Sequence, residues 1–229
     1  MALATYTTSS QSDPGLDRER FRALWTRCSK GAQAGDGTAV FERLLDHYRE
    51  AHRYYHTPDH IRHCLEQFDM ARDEMLDPDA VELALWFHDV IYKTSGSDNE
   101  LRSAEWFMSV AGGDLRADLC KRVYAMIMIT VHPSEPSDSD EQIVVDIDLS
   151  SFALPWERMM RDSEAVRREM QHLSDREFYA GQIRFLDSLL NRAAFFGSAF
   201  FNRRGEAAAR ANVTRYLDAL RARGFSAEA

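Results

Sequence analysis

Long apolar runs are absent: no window approaches the roughly 18 uninterrupted apolar residues that a membrane span requires, so no transmembrane helix is expected. Cysteine is scarce. Cys28, Cys64 and Cys120 are odd in number and form no CxxC pair, which excludes a cysteine zinc knuckle and a closed disulfide framework. They read as reduced thiols packed as small apolar side chains in a cytoplasmic protein. The sequence also lacks a glycine-rich phosphate loop and a GxSxG turn, so nothing points to a P-loop nucleotidase or a serine hydrolase. Positive charge is the minority sign, with 28 Lys and Arg against 37 Asp and Glu. The resulting net charge of −9 would repel a nucleic-acid polymer or an anionic membrane surface. A small anionic ligand stays compatible where a site is locally positive.

What remains is an ordinary globular balance, 45% hydrophobic and 28% charged over 229 residues, enough for one good core. We expect a frayed tail over residues 1–15, Ser/Thr-rich and without the basic start or apolar run of a signal peptide, and a single domain over 16–229. No internal repeat is present. Strand-like alternation is nearly missing, whereas helical spacing recurs along the chain. One face is marked by Val40, Phe41, Leu44, Leu45 and Tyr48, and another by Ile61, Cys64, Leu65, Phe68 and Met75. Further helices are predicted around residues 115–127, 178–189 and 208–220, so the fold class is all-α. Thr57-Pro58 and Asp77-Pro78 are helix-start signals, a capping side chain followed by a proline that loses no hydrogen bond in the first turn. The run 81–91 is apolar on nearly every side, as in a central buried helix. Residues 94–99 form a polar connector and 132–141 the longest predicted loop. The phenylalanines between 195 and 201 read as core, with a covered interface or pocket as the alternative.

At the end of the most apolar helix stand His88 and Asp89. An ionised carboxylate is costly in such a place unless a positive partner accompanies it. Neighbours on a helix diverge by about 100°, yet a metal ion lying between the two directions is within reach of both. A capped helix end with an ordinary salt bridge is the competing explanation. Two other segments weigh against it: His56 and His60 around the start at Thr57, and Asp146 and Asp148 embedded in apolar residues. The order His, then His-Asp, then Asp, each at the edge of an apolar helix, is hard to attribute to chance.

This order resembles that of the HD superfamily of metal-dependent phosphohydrolases, H…HD…D. Residues 55–60 are similar to the YHNxxH segment of the cyclic-nucleotide phosphodiesterases within that fold, with Thr57 where asparagine is usual. A closer likeness is to a branch of small bacterial proteins described as predicted metal-dependent HD phosphohydrolases. It is carried by residues 53–57, 86–92, 98–100 with 103–104, and 146–149, and extends from about residue 41 to the arginine-rich C-terminal helices.

The resemblance implies an HD-type helical bundle with His60, His88, Asp89 and Asp148 as metal ligands. Asp148 is preferred to Asp146 because Asp148-Leu149-Ser150 matches the Asp-Leu-Ser run of the phosphodiesterases. His56 takes the place of the acid that protonates the leaving oxygen, a role suited to an imidazole titrating near neutral pH. His132 falls where two-metal members place an extra histidine, although a lone histidine beside a proline loop is more often structural. Glu100 reads as a base, as a partner to a ligand, or as ordinary compensation of a helix dipole. Arg53 and Lys93 flank the site and either neutralise phosphate oxygens or pair on the surface. A set of two imidazoles and two carboxylates suits Mn, Fe, Co, Ni or Zn better than Mg as the sole metal. The implied activity is hydrolysis of a small phosphate ester, a nucleotide among the candidates, by metal-activated water. The alternatives are an HD-fold iron oxygenase, which needs further histidine ligands, and a non-catalytic binding or regulatory module in which the metal is structural. One or two metals, and the oligomeric state, stay open.

Overall fold

A computed structural model describes residues 16–31, 33–131 and 135–228. The predicted tail over 1–15 and His132 therefore lie outside the described residues. Among the described residues ten α-helices follow one another: α1 Arg18–Cys28, α2 Thr38–Tyr48, α3 Pro58–Ala71, α4 Pro78–Phe87, α5 Asn99–Ala111, α6 Ala117–Met128, α7 Ser139–Leu149, α8 Trp156–Glu169, α9 Asp175–Leu190 and α10 Ala199–Ala222. Among the described residues the only β-type pairing is an isolated bridge between Ser29 and Leu115. The all-α class is thus observed, and no described helix is long and apolar enough to cross a membrane.

Helix α4 is the hub. Every residue from 80 to 87 is buried, and α1, α3, α5, α6 and α7 all pack against it. A helix apolar on all sides has no face to offer water, so its neighbours must surround it. Its one buried acid, Glu82, accepts from Arg20 Nε at 2.6 Å. The start of α4 is as expected, with Pro78 in its first turn and Asp77 accepting from the Ala80 amide at 3.1 Å.

Two local expectations need correction. Thr57 stands at the N-cap of α3, but its hydroxyl turns back to the Tyr55 carbonyl at 3.4 Å instead of capping the helix. The loop predicted over 132–141 ends early, because Asp138 caps the amides of Asp140 and Glu141, each at 3.0 Å, and α7 begins at Ser139.

The C-terminal helices pack on this frame through a short 3-10 helix, Ser150–Ala153, which continues α7 and meets both α8 and α10. Phe195, Phe196 and Phe201 are core residues here. Asp146 ties this half to α7 by accepting from the Gly197 and Ser198 amides at 3.0 and 2.7 Å. A β-carbon at Gly197 would lie 2.2 Å from the end of the Gln142 side chain, which would have to move and loosen its hydrogen bond to Asp146.

Candidate metal centre

Four side chains from three elements converge. His60 lies in the first turn of α3, His88 follows the last residue of α4, Asp89 is in the turn beyond, and Asp148 is near the end of α7. The two imidazoles are almost wholly buried, and the two carboxylates keep an edge toward an open cavity. His60 Nε2 lies 3.4 Å from Asp89 Oδ2 and 3.5 Å from Asp148 Oδ1. His88 Nε2 lies 3.1 and 3.5 Å from the same two atoms, and 3.2 Å from His60 Nε2.

These separations fit one cation. Donors at right or tetrahedral angles around an ion with bonds of about 2.1 Å stand about 3.0–3.4 Å apart. The His88 tautomer also fits: its Nδ1–H donates to the Leu85 carbonyl at 3.0 Å, so the neutral ring aims an Nε2 lone pair into the cluster. Burial opposes charge on His88, but Asp89 and Asp148 outweigh it and hold the imidazole well above its ordinary value. Asp89 is held well below the usual carboxylate range, burial again being outweighed, here by His88 and His56. A field that draws protons onto imidazoles this strongly draws a divalent cation as well, so these residues can hold a metal ion. Cys64, one turn after His60, is grouped with the two imidazoles. Its Sγ is almost equidistant from both nitrogens of His60, at 3.7 and 3.9 Å, so it packs beside the ring rather than beyond Nε2.

His56 stands next to the quartet, with Nε2 3.9 Å from Asp89 Oδ2. Its Nδ1–H donates to Glu169 Oε2 at 2.7 Å, and its ring stacks on Tyr92 with centroids 4.0 Å apart. Glu169 closes α8 and is buried. Its other oxygen accepts from the amides of Tyr54, Tyr55 and His56 at 2.7, 2.7 and 3.0 Å. Burial alone would raise this carboxyl, but those donors, His56 first, lower it to about 2. One carboxylate thus sets both the turn carrying His56 and the direction in which the imidazole points.

A cavity of about 230 Å³ opens beside the donors and touches His56, Asp89 and Asp148. Glu100, in the first turn of α5, lines it, and burial followed by the Asp89 and Asp148 charges raises its carboxyl above the ordinary value. The other walls come mainly from the end of α7, the 3-10 helix, α8 and α9.

Other residues singled out from the sequence lie elsewhere. Arg53 is buried and spends its guanidinium on the carbonyls of Asp89, Val90 and His56 at 2.7, 2.8 and 3.3 Å and on Glu50. It holds the His-Asp turn in shape and does not line the cavity. Lys93 is exposed, and it too is absent from the cavity wall. Asp146 faces α10, on the opposite side of α7 from the quartet that Asp148 joins.

Sequence reasoning missed Glu169 altogether. It follows Arg167 and Arg168 on a helix that buries only Met159, Ser163 and Glu169, so it reads as part of a solvated charged face. Its only signal is its place at the end of that helix, which does not reveal the partner across the fold.

The fold and site define a helical protein with a buried His/Asp cluster able to hold a metal ion beside an oriented histidine. Among known proteins the chain matches no family model, no curated protein and no solved structure.

Proposed function

We propose that this chain is an HD-type metal-dependent phosphohydrolase acting on a small phosphate monoester. The observation that carries the reading is the juxtaposition of the donor quartet with the Glu169-held His56 at one open cavity. A closed structural metal site has neither an open side nor an oriented acid. The donor set of two nitrogens and two oxygens suits a transition ion such as Mn, Fe, Co, Ni or Zn better than Mg. Bound there, such an ion supplies Lewis acidity toward a phosphoryl group and toward water.

The protein's own residues do the rest. His56 delivers the proton on Nε2 to the leaving oxygen as the ester P–O bond breaks and the water oxygen bonds to phosphorus. Glu169 accepts from Nδ1 and fixes the aim of the imidazole. Glu100, on the same cavity wall, accepts the proton that water gives up, for which a raised carboxyl is the better base. The products are the free alcohol and inorganic phosphate, and the cycle closes as Glu100 gives its proton to solvent and His56 takes one up.

The test is metal analysis of the purified protein together with release of inorganic phosphate from simple monoesters. A His56→Asn variant should keep its metal and lose about 10²-fold or more in turnover. Wild-type protein that holds metal and releases no phosphate from any monoester would refute the hydrolase reading.

A further inference from the structure

The walls of the cavity are more specific than its donors. Leu149, Phe152, Met159, Val166 and Phe185 give it an apolar side, while Glu100 and Asp162 add carboxylates to those of Asp89 and Asp148. Among the described residues no lysine or arginine lines it. Arg158 does not line it but pairs with the wall residue Asp162, its Nε donating at 3.1 Å, and Arg53 is held on the backbone carbonyls of the His-Asp turn. At about 230 Å³ the space lies below the roughly 300–1,000 Å³ of sites for drug-sized ligands.

From this we infer that the site selects a phosphomonoester of a small, uncharged, largely apolar alcohol and rejects alcohols that carry a second anionic group. The inference rests on the hydrolase reading above and names its substrate class. A phosphate can be compensated at the quartet. A second anion deeper in the cavity would meet an apolar wall and the Glu100 carboxylate, and among the described residues no basic side chain lines that wall to offset its desolvation. A ring or branched alkyl group gains instead from leaving water against those five side chains. Gln182 and Ser163, also on the wall, offer neutral hydrogen bonds that orient such a group without demanding charge. Nucleoside di- and triphosphates are disfavoured on both size and charge.

The experiment compares phenyl phosphate, 4-methylphenyl phosphate and 4-carboxyphenyl phosphate on the full chain loaded with Mn²⁺, reading phosphate release. In parallel, calorimetry measures binding of phenylphosphonate and 4-carboxyphenylphosphonate, which cannot be hydrolysed. The methyl compound should match or exceed the parent. The carboxylate should lower both kcat/KM and affinity about tenfold or more. Gln182→Lys, which sets a cation on the wall, should bring the carboxylate compound back to within about threefold of the parent. A carboxylate ester that binds and turns over as well as the parent overturns the inference. Phosphonates that discriminate while no ester is hydrolysed would leave the selectivity standing and remove the hydrolase reading. Hydrolysis without discrimination would do the reverse, and neither binding nor turnover would sink both.

Discussion

The half of the molecule built from α3, α4 and α7 carries all four donors, whereas the half built from α8, α9 and α10 carries none. Yet the second half supplies the carboxylate that aims His56, most of the apolar cavity wall and the loop amides that hold Asp146. The difference teaches that gathering donors able to hold an ion and orienting a side chain beside them are separate structural tasks. Donors need only local placement at the ends of buried helices. The orientation of His56 and the pocket depend on how a second layer docks over them.

The sharpest way to break this division is to remove a donor. His88→Ala should lower bound metal and phosphate release by more than about a hundredfold, with helical content by circular dichroism preserved. A variant that keeps its full metal complement would put the cluster itself in doubt.

Next in size is Glu169→Gln, which touches the second half alone. Metal content should be unchanged while kcat falls by about 10²-fold. The same change should alter acid unfolding. Because the fold holds this carboxyl at about 2, below its ordinary 4.5, its stabilisation is complete above pH 4.5 and lost as pH falls toward 2. Wild-type protein should therefore lose up to about 3 kcal/mol more than the glutamine variant over that window, measured by urea titration at several pH values. Parallel acid profiles for the two proteins would sink the assignment.

Asp146→Asn tests the tie between the halves. It should cost about 1–3 kcal/mol, read as a lowered Tm, because at least one of the two loop amides loses its acceptor. Metal stoichiometry should stay as it was, in contrast to Asp148→Asn. Smallest of all is Lys93→Ala: an exposed side chain away from the cavity should leave stability within about 0.5 kcal/mol and turnover within about twofold. A large loss of turnover in that variant would return Lys93 to the site.

The all-helical class was legible because apolar residues recur at helical spacing, a property of the local sequence that packing does not reverse. The centrality of α4 was legible for a related reason, since a segment apolar on every side has nowhere to go but inward. Helix α8 was not read, although Trp156, Met159, Met160 and Val166 stand at helical spacing, because the charged residues between them make the stretch strongly polar on average. Nor could local pattern decide what Arg53 does: a guanidinium beside a metal motif serves a phosphate or a carbonyl equally well, and only the path of the turn at 88–92 brought the Asp89 and Val90 carbonyls to it.

Residues 146 and 148 mark the boundary between the two kinds of knowledge. The sequence by itself determined that a pair of aspartates sits in a buried helix, where each must find a partner or a cation. Two positions along a helix are about 200° apart, so one pair cannot serve one site. The resemblance favoured Asp148, but what makes it the one that meets the histidines is tertiary structure, the packing of α3 and α4 on one side of α7 and the start of α10 on the other.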